Sequence, residues 1–282
     1  MIASKPRLSA IQLCSKPDIE ANLAEINKII SQLCTKHPSC KEHLVVLPEC
    51  CLYFGGKDKE QLTIAEPIGL GYMQQQLASI AKQHGIYLLA GTIPIISANG
   101  QKFTASSLLY TPNGELAAHY QKMHLFDVNV DDSEASYRES NSTDAGTTTT
   151  VVNLDQMKLG MTVCYDLRFP ELFRTLTTLA ANIITVPSAF TKVTGTAHWQ
   201  VLLQARAIEN QVYIVAANQQ GTHQNGRQTF GHSMIINPWG EILAIKEQGN
   251  GYVSAEFDLD LLTKIRSDIP VASHNKFSVS LK

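Results

Sequence analysis

Two periodicities of apolar residues alternate along the chain. Short continuous apolar runs are typical of strands that are covered on both faces. Between them, apolar residues recur at steps of four, three, four and three from Ile19 to Leu33, after Asp18 as a predicted helix cap. The alternation predicts an α/β fold with sheets of mixed direction. The predicted strands are LSAIQLC, HLVVLP, IYLLAGTI, KLGMTVC, NIITVPS and VYIVAAN.

Three further helices are predicted from spacing and from helix-terminating residues. One covers 72–84 and ends at Gly85, another covers 198–211, and a third begins at Pro170. The third helix presents one apolar face, made of Leu172, Phe173, Leu176, Leu179 and Ala180.

The two halves of the chain resemble each other. YLLA at 87–90 matches YIVA at 213–216, and SLLYTPNGEL at 107–116 matches SMIINPWGEI at 233–242, both at an offset of 126 residues. Such a repeat indicates an internal duplication. Two mixed half-sheets packed face to face, with helices outside, give a four-layer αββα sandwich. No linker separates the halves, so we expect a single domain over 1–282, with one weakly patterned polar loop at 130–150.

Composition and charge limit the kinds of molecule that the protein is expected to bind. The chain has 282 residues, a net charge of −2 and no basic stripe, which argues against nucleic acid. No apolar run reaches the ~18–20 residues of a membrane span, and no signal-peptide core precedes the first strand. The six cysteines show no disulfide spacing, and Cys34, His37 and Cys40 fit no zinc pattern. We therefore expect a cytoplasmic protein without a metal.

Three chemically useful residues follow directly after apolar runs, where ligand sites of α/β sheets lie. They are Glu49, Lys122 and Cys164. Each also has a simpler interpretation. Glu49 could be a solvated residue at a strand end, Lys122 a surface charge and Cys164 a small buried hydrophobe. Cys164 stands out because a helix start follows it, which predicts a lowered thiol pKa and backbone N–H groups near the turn that can point at a bound oxygen.

The other cysteines near strand ends are interpreted differently. Cys14 ends the first strand, and Cys50 and Cys51 follow Glu49. We expect all three to be packing residues.

Three motifs carry a family resemblance. LPEC, YQKMHLFDV and GMTVCYDLRFPELFR resemble the Glu, Lys and Cys signatures of the nitrilase superfamily of carbon–nitrogen hydrolases. The resemblance runs over nearly the whole chain. ESNSTDAG and FTKVTGTAHW are most similar to the Nit branch, first to its deaminated glutathione amidases and then to its ω-amidases. The αββα fold of this superfamily agrees with the duplication.

The resemblance implies a mechanism without a cofactor. It assigns Cys164 as nucleophile, Glu49 as general base and Lys122 as the cation that stabilises the oxyanion, with help from the Tyr165 N–H. It also implies a small-molecule amide as substrate and a homodimer or larger homo-oligomer.

Further site residues are expected around these three. Glu139 is similar to a second glutamate that many members place beside the lysine, although it could also be a loop surface charge. Arg168 could clamp a substrate carboxylate or pair with Glu171. Phe190 and Thr194 follow the strand NIITVPS and are pocket candidates. Arg206 and Glu209 are expected to form a structural pair.

Two alternatives remain open from the sequence. A Cys–His hydrolase or acyltransferase would use His124, His198 or His232 as its base. A protein that keeps the fold without catalysis would only bind ligands, which the intact Glu49, Lys122 and Cys164 argue against.

Overall fold

Two six-stranded mixed sheets form the centre of the protein. The structure is a computed structural model that describes residues 5–38, 40, 42–57, 59–132 and 136–281. The described strands are β1 (Arg7–Gln12), β2 (His43–Val46), β3 (Tyr87–Ile96), β4 (Phe103–Tyr110), β5 (Leu116–Gln121), β6 (Asp127–Asn129), β7 (Ser136–Arg138), β8 (Val151–Leu154), β9 (Met157–Met161), β10 (Ile183–Thr185), β11 (Tyr213–Ala216), β12 (Gln220–Thr222), β13 (Gln228–Phe230), β14 (Ser233–Ile236), β15 (Ile242–Lys246) and β16 (Gly251–Glu256).

The two large sheets have the same topology. The first runs β16-β1-β2-β3-β4-β5 and the second β8-β9-β10-β11-β14-β15. In both, the first pair is antiparallel, the next two are parallel and the last two are antiparallel. The strands that match in sequence at the offset of 126 residues, β3 with β11 and β4 with β14, hold equivalent positions. The expected α/β architecture with two mixed sheets is therefore confirmed.

Strand alternation builds two apolar layers on each sheet. On β2, Leu44 and Val46 join the core between the sheets, where Leu159 and Met161 of β9 also lie. The residues that alternate with them, such as Val45, pack under helices on the other face of the first sheet. Both faces of the central strands are thus buried, which explains their continuous apolar sequences.

Helices cover the outer faces of the sheets. Residues of α1 and α3 share the core cluster on the first sheet, and residues of α4 and α6 share the cluster with the second. Asp18 caps α1 through a 3.0 Å bond from the Ala21 N–H, and Gly85 ends α3 at φ 62°, as expected. The described helices are α1 (Ile19–Lys36), α2 (Glu60–Thr63), α3 (Tyr72–His84), α4 (Pro170–Thr178), α5 (Lys192–Thr194), α6 (Gln200–Asn210), α7 (Leu259–Asp268) and α8 (Val271–His274).

Two predicted helix boundaries were wrong. The helix from Pro170 ends at Thr178, so Leu179 is 51% exposed and lies outside the apolar face, as does Ala180. The helix expected from residue 198 begins earlier, because α5 starts at Lys192 and a π-helical turn joins it to α6. Among the described residues, no helix is long and apolar enough to cross a membrane.

Candidate active site

Glu49, Lys122 and Cys164 meet in one pocket. Glu49 and Lys122 follow β2 and β5 of the first sheet, and Cys164 follows β9 of the second. All three are buried, with 6%, 2% and 8% of their surface exposed. Lys122 Nζ lies 2.8 Å from Glu49 Oε1, and Glu49 Oε2 accepts a 2.8 Å bond from the Ala189 N–H. Facing sheets thus bring together residues that are far apart in sequence.

A second carboxylate holds the lysine. Glu139 accepts bonds of 2.8 and 3.0 Å from Lys122 Nζ and another of 2.7 Å from the Phe126 N–H. Burial alone would lower the pKa of Lys122, but the Glu139 and Glu49 carboxylates outweigh it and hold this pKa well above its usual range. Burial raises the pKa of Glu139, although the Lys122 ammonium opposes that shift. Lys122 is therefore a fixed cation between two acidic groups.

Cys164 lies on a strained turn and carries a neutral thiol. Its φ is 46°, in the left-handed region that residues other than glycine seldom occupy, and its N–H donates to the Pro187 carbonyl at 2.8 Å. Burial raises the pKa of the thiol well above its usual range, and the Glu49 carboxylate, within hydrogen-bonding range, adds to the shift. The expectation of a lowered pKa was wrong, because desolvation outweighs the adjacent helical turn and Lys122.

The turn after the thiol is held by a buried carboxylate. Asp166 is fully buried and accepts bonds from the Tyr120 hydroxyl at 2.7 Å and from the Val163 N–H at 2.8 Å. Its other oxygen accepts the His124 N–H at 3.1 Å. Asp166 therefore connects the Cys164 turn to the segment that carries Lys122.

The three candidate histidines lie elsewhere. His124 stacks on Phe169 at 3.6 Å and bonds Asp166, His198 lies 3.3 Å from Arg168, and the His232 ring bonds the Phe230 carbonyl. No histidine occurs among the described residues that line the pocket. The geometry therefore does not favour a Cys–His pair.

The pocket has a volume of about 130 Å³. Four of the residues named from the sequence, Tyr165, Phe190, Thr194 and Glu139, line it. The other lining residues are Cys50, Phe54, Gln61, Phe103, Ala105, Phe126, Tyr137, Arg138, Ser142, Thr143, Ala189, Thr191, Arg227, Gln228 and Thr229, together with the three residues described first.

Arg168 lies at the edge of this pocket. It is absent from the lining, but its guanidinium lies 5.9 Å from the Tyr165 ring and 5.3 Å from the Phe190 ring, both of which line it. It forms no ion pair with Glu171, whereas Arg206 and Glu209 do pair, at 2.8 Å. Arg168 is thus placed next to two pocket residues.

Several lining residues were missed by the sequence analysis. Tyr137 and Arg138 belong to β7, which lies in the polar loop 130–150 and pairs with β6 just before that loop, and Arg227 comes from the β12–β13 hairpin. The ESNSTDAG motif next to the first hairpin is the signal that could have revealed it. Residues 133–135 of that loop lie outside the described residues.

Cys50 is also more than a packing residue, because it lines the pocket beside Glu49. Burial raises its pKa to about 12, which keeps its thiol neutral. Cys51 belongs to the apolar core, as expected. Within the described part of the chain, no group of three or more His, Cys, Asp or Glu side chains could hold a metal ion.

Comparisons with known proteins agree with this arrangement. The model of the carbon–nitrogen hydrolase family matches residues 7–267. A protein of Yersinia enterocolitica named deaminated glutathione amidase is 42% identical to this chain, over 97% of this chain and 94% of that protein. A protein of Synechocystis with the same name is 40% identical, over 97% of this chain and 99% of that protein. The crystal structure of Saccharomyces cerevisiae Nit3, a member of the nitrilase superfamily, is 29% identical over 98% of this chain and 99% of that one, with a TM-score of 0.86. The chain therefore belongs to the carbon–nitrogen hydrolase family and is a hydrolase of carbon–nitrogen bonds other than peptide bonds.

Proposed function

We propose that this enzyme is a cysteine-dependent amidase that cleaves deaminated glutathione into 2-oxoglutarate and cysteinylglycine. The observation that carries the proposal is the convergence of Cys164, Glu49 and Lys122 in one buried pocket. A thiol, a carboxylate and a fixed ammonium are the groups that acyl transfer through a thioester requires.

Glu49 is the proposed base. The Cys164 thiol is neutral at rest, so its proton must leave as the sulfur attacks the amide carbon, and the carboxylate within range accepts it. Glu49 then gives this proton to the leaving amine, which departs as the thioester forms. In the second half of the reaction, Glu49 takes a proton from water, and the resulting hydroxide attacks the thioester. The sulfur then leaves the acyl carbon and recovers its proton from Glu49 as the acid is released.

Lys122 and the backbone stabilise the oxyanion of both steps. The Lys122 ammonium is held in place by Glu49 and Glu139. The Tyr165 N–H follows the nucleophile directly and donates no hydrogen bond to another described residue. A cation and an amide donor beside the sulfur form an oxyanion site, in which each donor contributes on the order of 3 kcal/mol to transition-state stabilisation.

The size of the pocket supports a short acyl group. A cavity of about 130 Å³ is several times larger than the roughly 10–15 Å³ that one water needs on the same measure, so it has room for a small organic group. A 2-oxoglutaryl group, with about nine non-hydrogen atoms, is a group of this kind. We propose that Arg168 binds its carboxylate beside Tyr165, Phe190 and Thr194. The relatives named deaminated glutathione amidase favour this substrate, and 2-oxoglutaramate, which has the same acyl half, is the alternative.

A comparison of four compounds tests the proposal. We expect kcat/KM to be highest for deaminated glutathione, lower for 2-oxoglutaramate, and very low for N-carbamoyl-β-alanine and a simple nitrile. Cys164→Ser should lose turnover of every compound, and its circular dichroism spectrum should match that of the wild type. A preference for the nitrile or the carbamoyl compound would contradict the proposed substrate but leave the proposed roles of Cys164, Glu49 and Lys122 in place.

Two wider expectations belong to the proposal as well. Assembly into a homodimer or a larger homo-oligomer remains a prediction that sedimentation would check. A cytoplasmic location remains a prediction from cysteine usage, since a chain of this size without a disulfide pattern is typical of reducing compartments.

A further inference from the structure

Three aromatic rings form one continuous wall of the pocket. Phe126 stands in the middle, with its ring centroid 5.1 Å from that of Tyr165 on one side and 5.1 Å from that of Tyr137 on the other. All three residues line the pocket. We call Tyr165, Phe126 and Tyr137 the aromatic wall.

A guanidinium lies at each end of the aromatic wall. Arg168 lies 5.9 Å from the Tyr165 ring, and Arg227 lies 5.4 Å from the Tyr137 ring. The two arginines come from separate elements, the turn after Cys164 and the β12–β13 hairpin. The wall therefore separates two cationic positions along the same pocket.

Arg227 also marks where the pocket continues outward. A smaller hollow next to the main pocket shares Phe54, Gln61 and Arg227 with it, and Lys57 lines only this smaller hollow. A ligand too long for the main pocket would extend past Arg227 into this basic hollow.

Deaminated glutathione has this length and this charge. It carries a carboxylate at each end, with the scissile amide between them, whereas 2-oxoglutaramate has only one. The ends of an extended tripeptide-sized molecule lie roughly 10 Å apart, which is the scale of two centroid steps of 5.1 Å along the wall. In the proposed function Arg168 binds the acyl half, so the leaving group extends toward the opposite end of the aromatic wall, where Arg227 lies.

We propose that Arg227 binds the glycine carboxylate of the leaving cysteinylglycine, and that it thereby separates deaminated glutathione from 2-oxoglutaramate as substrates. This inference rests on the function proposed above. Arg168 and Arg227 then hold the two ends of one dianion while the central amide lies against Cys164. A bidentate guanidinium suits a terminal carboxylate.

Arg138 is the other arginine in the lining, but it lines only the main pocket, whereas Arg227 lines both the main pocket and the smaller hollow. Arg138 donates to the carbonyls of Val128 and Tyr137 and to Asn129 Oδ1 at 2.6–3.0 Å, which holds it on the β6–β7 hairpin. Because the leaving group extends toward the smaller hollow, we assign the ligand contact to Arg227.

The test pairs a substitution with a change in the substrate. Arg227→Gln and wild type are assayed with deaminated glutathione, with its analogue that ends in glycinamide, and with 2-oxoglutaramate. Wild type should prefer the carboxylate over the glycinamide on the order of 10-fold in kcat/KM. Arg227→Gln should lose most of that preference, and its kcat/KM should fall much further for deaminated glutathione than for 2-oxoglutaramate. Because the preference is a ratio within one preparation, differences in folded fraction cancel.

Lys192→Gln is the matched control, since Lys192 is an exposed cation on α5 that does not line the pocket. This control should keep the full preference. An unchanged preference in Arg227→Gln, or an equal loss in Lys192→Gln, would overturn the assignment to Arg227 alone. A wild-type enzyme that cleaves neither deaminated glutathione nor 2-oxoglutaramate would instead overturn the proposed function, and this inference with it.

Discussion

The hydroxyl of Tyr120 donates a 2.7 Å hydrogen bond to Asp166 in the buried space between the two sheets. Tyr120 lies two residues before Lys122, and Asp166 lies two residues after Cys164. The same carboxylate oxygen accepts the Val163 N–H, on the other side of Cys164. One buried contact therefore sets the separation between the ammonium and the thiol.

Tyr120→Phe should weaken both stability and catalysis. Removing a donor from a buried carboxylate costs about 1–3 kcal/mol in the free energy of unfolding. Because the contact positions Lys122 and Cys164, kcat should fall by about 10-fold or more while KM changes less. Urea unfolding and steady-state kinetics measure the two effects. Tyr213→Phe is the control, since the Tyr213 hydroxyl bonds the Asp258 backbone instead. An unchanged kcat in Tyr120→Phe would mean that the contact is only structural.

The resting enzyme should contain no Cys164 thiolate near neutral pH. Burial and Glu49 raise the pKa of this thiol, so the neutral form dominates below that raised value and ionises only as pH rises through it. The difference in thiolate absorbance between wild type and Cys164→Ser should stay flat up to about pH 9, above the pKa of an ordinary thiol. A titration at lower pH that is present only in wild type would show that the thiol is activated before substrate binds.

The Glu49→Gln and Glu139→Gln variants should differ in how much activity they lose. Glu49→Gln removes the proposed base and should lose activity by at least about 100-fold. Glu139→Gln keeps an oxygen that can accept from Lys122 and the Phe126 N–H, so it should retain more activity. Measuring kcat for both variants and for the wild type gives the two losses. Equal losses would indicate that Glu139 takes part in the chemistry rather than in holding Lys122.

Arg168→Gln should affect every substrate that has a 2-oxo-acid end. A charge-assisted contact contributes about 1.5–3 kcal/mol, so kcat/KM should fall roughly 10- to 150-fold for both deaminated glutathione and 2-oxoglutaramate. A neutral short amide should lose far less. If all three compounds are affected equally, Arg168 acts through Tyr165 and Phe190, which its guanidinium contacts.

Chelation should leave turnover unchanged. The proposed steps use only groups of the protein, which are the side chains of Cys164, Glu49 and Lys122 and the Tyr165 N–H. Dialysis against EDTA should therefore preserve kcat, whereas iodoacetamide should abolish it. Loss of activity with EDTA and its recovery with zinc would refute the mechanism.

Much of the secondary structure follows from local signals in the sequence. The continuous apolar runs, the Asp18 cap and Gly85 each act within a few residues, so the order of strands and helices could be predicted from them. The repeat at 126 residues predicted two equivalent sheets. The boundary at Leu179 was missed because Ala180 adopts a left-handed φ of 69° without a glycine to signal the end of the helix.

The sequence by itself singled out Glu49, Lys122 and Cys164 as the candidate site, since these residues lie in motifs at the ends of strands. Only the tertiary structure decided their electrostatic state and their surroundings. The Cys164 thiol stays neutral because two packed sheets exclude water from it, and no local pattern encodes that exclusion. Likewise, Arg227 reaches the pocket through a hairpin remote in sequence from the three motifs, so its position depends on how the strands pair across the fold.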